Sequence, residues 1–340
     1  MRFILALGSL AVVLPPGLPA PRPTQKTESG VTIKTDKDHI DFLVGKELVG
    51  RYNKGPSVAK PYFWPLNNPF GTPITRGWPM VEAKKGESTD HPHQKSAWFC
   101  HGDVIPEGIE VKEKIRGIKG VDFWSEAKGH GRIVCTKVLL RKLGGQPGQH
   151  DMIETVNEWQ TASGTKIMDE KRIVHLFNFG KTRLFVFDID LYASVAPITF
   201  GDTKEGSMGV RVNDAIRENT KKGTLVNADG KTGMGECWGR MSDWCDYSGP
   251  IEGKVSGIAI FDHPKNPVRA CWHSRDYGLM AANPFGRSRS GFPGVRGIMD
   301  LVKIPKGEHL KLRYGILIHP GDAKEGKVAD FFQKFVKLVK

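Results

Sequence analysis

The sequence is poor in cysteine, with five residues scattered over a chain of 340. They are Cys100, Cys135, Cys237, Cys245 and Cys271. No two of them form a Cys-x-x-Cys pair, which argues against a structural zinc ribbon. Five thiols allow at most two disulfides, and we expect buried free cysteines because unpaired cysteine is commonly buried.

The chain also lacks a long apolar run beyond its N-terminus. No later segment is apolar for eighteen residues, so the sequence predicts no transmembrane helix. Residues 1–20 resemble a signal peptide, because Arg2 precedes a short apolar run and Leu18-Pro-Ala20 resembles a small-residue cleavage site. We therefore expect an exported protein, periplasmic or extracellular, with a linker over residues 21–30 and a single domain over residues 31–340.

Several common functional motifs are absent. No Gly-x-Gly-x-x-Gly follows a strand and no phosphate loop is present, so nothing favours a dinucleotide or nucleoside triphosphate site. The Gly-x-Ser-x-Gly and His-Glu-x-x-His motifs are missing too, so a serine hydrolase or a zincin protease is not indicated.

The formal net charge is +13, yet the basic residues are spread along the chain. No helix-turn-helix pattern, aromatic-interleaved basic motif or long basic run accompanies them, so we expect no nucleic-acid partner. For an exported protein, an anionic polysaccharide is the alternative partner.

The high counts of glycine (40) and proline (22) predict many turns and short strands. The strand candidates are residues 133–140, 154–159, 184–192, 255–261 and 310–318. Only residues 328–339 have helical apolar spacing, and Asp322 with Glu325 resembles a capping box before them. The pattern predicts an all-β fold, an antiparallel β-super-sandwich with a C-terminal α-helix.

Residues 90–103 concentrate polar and aromatic side chains that core segments rarely hold. They include three of the eleven histidines, and His91 and His93 share one face if the stretch is extended. Buried imidazoles need hydrogen-bond partners, so we interpret the segment as a ligand site. Its histidines fit three roles: ligands of a transition metal, contacts to sugar hydroxyls, or a catalytic acid or base. A hydrogen-bonded turn without a ligand is the remaining alternative.

Four further segments are expected to converge with residues 90–103 on one cleft. They are residues 120–124, 200–212, 236–249 and 261–286. Asp202 and Glu205, on a glycine-rich loop, are a candidate two-carboxylate acid/base pair. Tryptophan and tyrosine beside acidic residues suit pyranose rings, which have apolar faces and hydroxyl edges.

The predicted site therefore has catalytic and binding residues, and a divalent metal is left open as a cofactor. The catalytic candidates are His91, His93, Asp202, Glu205 and His273. The substrate-binding candidates are Trp98, His101, Asp103, Asp122, Trp124, Trp244, Tyr247, Arg275, Tyr277 and Asn283. The candidate metal ligands are His91, His93 and His101.

Together these segments resemble a bacterial family whose members are automatically named "methane oxygenase PmoA" and described as a domain of unknown function. The stretches that carry the resemblance are residues 76–79, 90–103, 121–124, 200–206, 244–249, 261–264 and 281–286. The family usually has a second histidine directly after the one at position 93, where this chain has Gln94. The missing imidazole weakens a three-histidine metal site. The methane label does not fit a chain without a predicted membrane span, because true methane monooxygenase subunits of that name are integral membrane proteins.

The pattern of strands, histidines, tryptophans and carboxylates is also similar to the galactose-mutarotase-type super-sandwich. That resemblance implies a histidine and a carboxylate acting as acid and base on a sugar ring. We therefore expect an exported carbohydrate-active protein, a glycoside hydrolase or a sugar-modifying enzyme such as an epimerase or lyase, with a Trp-lined cleft. A non-catalytic glycan-binding protein is the first alternative, and a metal-dependent oxygenase is the second.

Overall fold

The computed structural model describes residues 30–141 and 150–338, so the predicted signal peptide and nearly all of the predicted linker lie outside the described residues. Within the described ranges the chain forms nineteen strands and two α-helices. The strands are β1 (Val31–Thr35), β2 (His39–Val44), β3 (Glu47–Asn53), β4 (Tyr62–Leu66), β5 (Ala97–His101), β6 (Val104–Pro106), β7 (Arg132–Arg141), β8 (His150–Gln160), β9 (Lys166–Phe179), β10 (Thr182–Tyr192), β11 (Ile198–Phe200), β12 (Gly206–Arg211), β13 (Thr224–Asn227), β14 (Trp244–Ile251), β15 (Lys254–Asp262), β16 (Cys271–Trp272), β17 (Leu279–Asn283), β18 (Lys303–Ile304) and β19 (His309–Pro320). The helices are α1 (Met234–Cys237) and α2 (Val328–Lys337).

Most strands belong to two eight-stranded antiparallel sheets. The first sheet has the order β1-β2-β3-β4-β5-β12-β17-β16, and the second has the order β13-β14-β15-β19-β10-β9-β8-β7. A small third sheet pairs β18, β11 and β6. The predicted all-β super-sandwich with a C-terminal helix is confirmed, and each predicted strand segment lies in β7, β8, β10, β15 or β19.

The main core lies between the two large sheets. Strand β10 illustrates how side chains alternate between this core and the outer face of the sheet. Phe185 and Phe187 turn inward, and Phe185 meets Phe42 and Phe63 of the first sheet at ring distances of 5.4 and 5.2 Å. Asp188, between the inward-facing positions, turns to the outer face, where it pairs with an arginine of β19. A strand with one face buried and one face polar needs this period of two.

The second sheet is also covered on part of its outer face, where α2 packs. Phe332 and Phe335 of the helix contact Phe261 of β15 at ring distances of 5.6 and 5.5 Å. Leu184 and Val186 are buried in the same cluster. The apolar stripe predicted for the C-terminal helix therefore seals a second, smaller core. Among the described residues, no helix is both long and apolar enough to cross a membrane.

The predicted capping box is present, but it closes a turn that precedes α2. The Asp322 carboxylate accepts from the backbone N–H of Glu325 at 2.8 Å, and the Glu325 carboxylate accepts from that of Asp322 at 3.2 Å. The helix begins only at Val328, after Lys327 in a left-handed conformation. A side chain at Gly326 would stand 2.0 Å from the His319 ring, so the chain must pass this point as glycine.

The candidate site lies on the face of the first sheet that turns away from the second. On β5, Phe99 packs toward the second sheet against Trp159 and Tyr314. Successive side chains on a strand point to opposite faces, so its neighbour Trp98 turns outward. The paired position on β12 is Gly209, where a side chain would meet the Trp98 ring at 2.8 Å. The absence of a side chain there lets the indole lie flat on the sheet.

Candidate active site

A cleft of about 530 Å³ opens on this outward face of the first sheet. Five separate stretches of the chain supply its lining. The lining residues are His91, His93, Gln94, Trp124, Ser125, Lys204, Glu205, Met234, His273, Arg275, Asp276 and Tyr277. The size suits a small polar ligand or one to two sugar rings.

Two buried arginines hold the loop that carries the first histidines. Arg76 and Arg211 are 1% and 0% exposed. Each places a guanidinium nitrogen 2.7 Å from the same oxygen, Oδ1 of Asp90. Arg211 also donates to the side-chain oxygen of Gln94 at 2.6 Å, and Arg76 to the His91 carbonyl at 2.9 Å. The loop is fixed by charge-assisted hydrogen bonds, so its side chains are presented to the cleft in one geometry.

Asp90 and His91 form an oriented pair. Oδ2 of Asp90 lies 3.1 Å from Nδ1 of His91, and Oδ1 is occupied by the arginines. Burial alone would raise the pKa of Asp90, but Arg211 and His91 outweigh it and lower the pKa to about 2. This contact sets which ring nitrogen of His91 faces Asp90. The His91 ring stacks on Tyr277 at 5.0 Å, which fixes its plane.

The floor of the cleft is Trp124, which a tight turn presents. The Asp122 carboxylate accepts from the backbone N–H groups of Trp124 and Ser125 at 2.6 and 3.0 Å. Below it, the Trp98 ring meets Trp124 edge to face at 5.1 Å. Trp124 is only 1% exposed, so it closes the bottom of the cleft and offers little free ring surface.

Glu205 and His273 face each other across one wall. Oε2 of Glu205 lies 3.9 Å from Nδ1 of His273. Nε2 of His273 accepts from Nε–H of Arg275 at 3.1 Å, which assigns the proton of the neutral ring to Nδ1. Burial lowers the pKa of His273 to about 3, aided by the charges of Arg275 and Lys204.

The Glu205 carboxyl is poised toward its neutral form. Burial raises its pKa, and the charges of Lys204 and Arg275 only partly oppose that shift. Burial also lowers the pKa of His93 to about 3, with help from the charges of Lys60 and His91. The cleft therefore contains a carboxyl that holds a proton more readily than usual and two imidazoles that stay neutral, a combination suited to acid/base chemistry.

Seven of the residues predicted from the sequence line the cleft. They are His91, His93, Trp124, Glu205, His273, Arg275 and Tyr277. Three others support it from behind. Trp98 and Asp122 position Trp124, and the Tyr247 hydroxyl donates to the Arg275 carbonyl at 2.7 Å.

Asn283 likewise supports the cleft without lining it. Its side-chain amide donates to the Thr203 carbonyl at 2.9 Å, two residues before Glu205. Its oxygen accepts from the backbone N–H groups of Phe285 and Gly286 at 2.9 and 3.0 Å. Asn283 therefore ties two loops together, and a role in contacting substrate does not agree with these bonds.

Three further predicted binding residues lie away from the cleft lining. His101 is fully buried between Phe200 and Phe285, its Nε2 is 2.8 Å from the Gly201 carbonyl, and burial lowers its pKa to about 4. Asp103 accepts from the Gly120 backbone N–H at 2.7 Å. Trp244 lies in the core under the C-terminal helix. In each case the side chain is buried against backbone or apolar neighbours and lies outside the cleft lining.

The predicted pairing of Asp202 with Glu205 in the cleft is a further correction. The Asp202 carboxylate accepts from the backbone N–H groups of Arg287 and Ser290 at 2.7 and 3.0 Å through one oxygen. Its other oxygen accepts from the N–H of Arg289 at 2.7 Å. A carboxylate with both oxygens committed to backbone donors holds a loop and does not serve a substrate.

Replacing Asp202 by alanine should lower the free energy of unfolding by about 1–3 kcal/mol, because three backbone donors lose a charged acceptor. Urea denaturation followed by fluorescence measures the change. Asp202→Asn, which keeps one acceptor oxygen, should lose less. An alanine variant as stable as the wild type would contradict the loop-holding role.

The three histidines proposed as metal ligands are not brought together. The rings of His91 and His93 are 5.6 Å apart, whereas His101 is enclosed by its phenylalanines. Across residues 30–141 and 150–338, no group of three His, Cys, Asp or Glu side chains is placed to hold a metal ion. All five cysteines lie in the described ranges as free thiols, four of them buried.

Five lining residues were not among those predicted. They are Gln94, Ser125, Lys204, Met234 and Asp276. Gln94, Lys204 and Asp276 lie within segments that the sequence analysis assigned to the site, and Ser125 directly follows Trp124. Their position next to predicted site residues could therefore have identified them. Met234, at the start of the short helix α1, has no signal in the sequence.

Comparisons with known proteins bear on the fold and the family. The model of a family of unknown function, DUF6807, matches residues 39–333. No curated protein matches the sequence. Two GH36 alpha-galactosidases from Geobacillus stearothermophilus, AgaB and AgaA, are similar in structure at TM-scores of 0.42 and 0.39, each with 8% identity. Each match covers 87% of this chain, and 42% and 40% of those chains.

The galactosidase domain of the alpha-galactosidase-sucrose kinase AgaSK is similar at a TM-score of 0.40 and 8% identity, over 85% of this chain and 42% of that chain. The chain thus spans about two fifths of the length of each of these solved structures. At such TM-scores the likeness transfers no activity.

Proposed function

We propose that this chain, which belongs to the family of unknown function DUF6807, is an enzyme that acts on a carbohydrate by proton transfer. One observation carries the proposal. Glu205, whose pKa burial raises, faces the neutral His273 at 3.9 Å in a cleft that also presents His91, oriented by Asp90. Pairs of titratable groups whose environments push their pKa values apart are the usual basis of acid/base catalysis.

Glu205 is the general acid and His91 the general base in this proposal. In glycoside cleavage, Glu205 gives its proton to the departing glycosidic oxygen while His91, through Nε2, takes a proton from the attacking water. In a sugar-modifying reaction, His91 removes a proton from the sugar and Glu205 returns one to it. His273, which faces Glu205 across the cleft, contacts a substrate hydroxyl.

A catalytic role is favoured over glycan binding alone by the burial of the predicted stacking residues. Trp98 and Trp124 are 2% and 1% exposed, and Tyr247 is fully buried. A protein that only binds glycans depends on open aromatic faces, because stacking on sugar rings supplies much of its affinity. The cleft is instead rich in groups that exchange protons. From the predicted signal peptide, we also propose that the enzyme acts outside the cytoplasm.

A turnover screen tests the proposal. The protein is incubated with a panel of neutral, acidic and oxidised oligosaccharides, and the products are read by mass spectrometry. Hydrolysis adds one water across the products, elimination adds none, and epimerisation leaves the mass unchanged but alters the chromatographic mobility. We expect a product that disappears in the His91→Ala/His93→Ala double variant, provided that the variant unfolds at an unchanged denaturant midpoint.

The outcomes separate the functional classes. Oligosaccharides that are retained by the protein and never altered would overturn the enzyme proposal in favour of a glycan-binding protein. A product made equally well by the double variant would show that the chemistry occurs elsewhere on the chain.

A further inference from the structure

We propose that the substrate carries an anionic group, a carboxylate or a sulfate ester, that binds between Arg275 and Lys204. The inference rests on the proposed function, because the anionic group is taken to be part of a carbohydrate substrate. Three observations support it: the two cations of the cleft form no ion pair with a carboxylate among the described residues, Arg275 is held in place by its neighbours, and Glu205 lies in the same cleft.

The four cations behind the cleft each contact a carboxylate of the protein, and two cations share each carboxylate. Lys60 and Lys95 lie 2.7 and 2.5 Å from the two oxygens of Glu126. Arg76 and Arg211 share one oxygen, Oδ1 of Asp90. These four cations have a structural function, and none is left for a ligand.

Lys204 and Arg275 differ from them, because within the described residues neither forms an ion pair with a carboxylate. Both line the cleft and both are half-buried. A partly desolvated cation without a counter-ion is costly, and an anion that enters the cleft recovers part of that cost. The protein thus leaves two positive charges open at the place where a ligand sits.

Arg275 is also held ready for an anion. Its Nε is committed to His273 at 3.1 Å, and its guanidinium lies over the Trp238 ring at 5.6 Å. Its backbone carbonyl is fixed by the Tyr247 hydroxyl. Within residues 30–141 and 150–338, the terminal nitrogens of the guanidinium have no hydrogen-bond partner, so they are open to a bidentate contact, the arrangement in which arginine recognises carboxylate and sulfate oxygens.

Glu205 and Asp276 line the cleft beside these cations, but among the described residues neither carboxyl forms an ion pair with Lys204 or Arg275. Burial raises the pKa of Glu205, so its neutral form is favoured relative to an ordinary glutamate. A bound anion beside Glu205 would raise that pKa further, because a like charge disfavours ionisation. Substrate charge and acid function therefore support each other, because the anion that Arg275 and Lys204 bind also shifts the pKa of Glu205 upward.

Binding measurements on size-matched ligands test the inference. The probes are a neutral glucan tetrasaccharide, an oligouronate of the same length and a sulfated neutral tetrasaccharide, each titrated by calorimetry into the full chain. The variants are Lys204→Met and Arg275→Gln. The matched controls are Lys85→Met and Arg296→Gln, which remove the same charges from exposed positions outside the cleft lining.

We expect an acidic probe to bind more tightly than the neutral one. Each cleft variant should weaken binding of that probe about tenfold or more, as loss of a buried charge-assisted contact does. Binding of the neutral probe should change little, and the exposed controls should stay within about twofold of the wild type for every ligand. The uronate and sulfate arms identify which anion the cleft prefers.

Equal affinity for neutral and acidic probes, or wild-type affinity for the acidic probe in both cleft variants, would overturn the inference. The proposed function fails separately. Tight binding of an acidic probe without turnover of any sugar would leave the anion site intact and remove the enzyme, whereas turnover restricted to neutral sugars would keep the enzyme and remove the anion site.

Discussion

Replacing Glu205 by glutamine should lower kcat on the carbohydrate substrate by about 10²–10⁴-fold, the usual contribution of a positioned general acid. Glutamine keeps the size and hydrogen-bonding shape of the side chain, but it has no proton to give to the departing oxygen. KM should change much less than kcat, because the lost interaction forms only in the transition state. Steady-state kinetics on the product identified by the screen measures both constants.

The pH profile distinguishes this role from a structural one. A general acid is active while protonated, so kcat should fall as pH rises through the pKa of Glu205. Burial raises that pKa, so the fall should lie at a higher pH than an ordinary glutamate would give. In Glu205→Gln the fall should be missing from the residual activity. A variant that keeps the wild-type profile with a uniformly lower rate would argue that Glu205 only shapes the cleft.

The alternation of side chains along strands made the fold predictable. In residues 184–192 the odd-numbered apolar positions face the other sheet, and the aspartates lie on the outer face, where the C-terminal helix covers Leu184 and Val186. The C-terminal helix was predictable for the same kind of reason, since its phenylalanines recur at helical spacing. The helix begins at Val328, where that spacing begins, whereas Asp322 and Glu325 close a separate turn before it.

The sequence identified most of the segments that form the cleft, but it did not identify which side chains of those segments line it. Asp202 and Glu205 stand three residues apart on one loop, and local sequence gives both the same chemistry. Only the folded chain reveals that backbone N–H groups of residues 287–290 capture Asp202, while Glu205 remains in the cleft. That choice depends on a loop more than eighty residues away, which no local pattern encodes.

The sequence also cannot tell which tryptophans line the cleft and which belong to the core. A tryptophan beside a carboxylate is typical of a sugar cleft and equally typical of a core. Asp122 serves Trp124 by accepting its backbone N–H, so the pair shapes the cleft floor. Trp244 sits beside an aspartate in sequence as well, yet it packs under the C-terminal helix. Burial, which depends on distant neighbours, decides between the two outcomes.

Replacing Glu170 by glutamine should lower the free energy of unfolding by about 3–5 kcal/mol, because it leaves a buried arginine without its counter-charge. Glu170 and Arg172 are adjacent inward positions of β9, and their side chains are 0% and 2% exposed. Nε of Arg172 is 2.6 Å from the Glu170 carboxylate, and its Nη1 donates to the Tyr52 hydroxyl of the first sheet at 3.0 Å. The pair therefore joins the two sheets within the core.

Urea denaturation measures this loss as a shift of the midpoint at unchanged slope. Glu158→Gln is the matched control, since Glu158 lies on the neighbouring strand β8, is 30% exposed and approaches Lys166 only to 3.8 Å. We expect the control to stay within about 0.5 kcal/mol of the wild type.

The double variant Glu170→Gln/Arg172→Met identifies the cause of the loss. Glutamine at position 170 can still accept from the Trp159 indole N–H, which the carboxylate binds at 2.7 Å in the wild type. If the unpaired charge of Arg172 causes the instability, removing that charge should restore most of the stability, because a buried ion pair replaced by neutral groups of similar size is often close to neutral. If the double variant is as unstable as the single one, the unpaired charge is not the cause, and the lost stability belongs to the hydrogen bond that Glu170 accepts from the Asn157 amide at 3.2 Å.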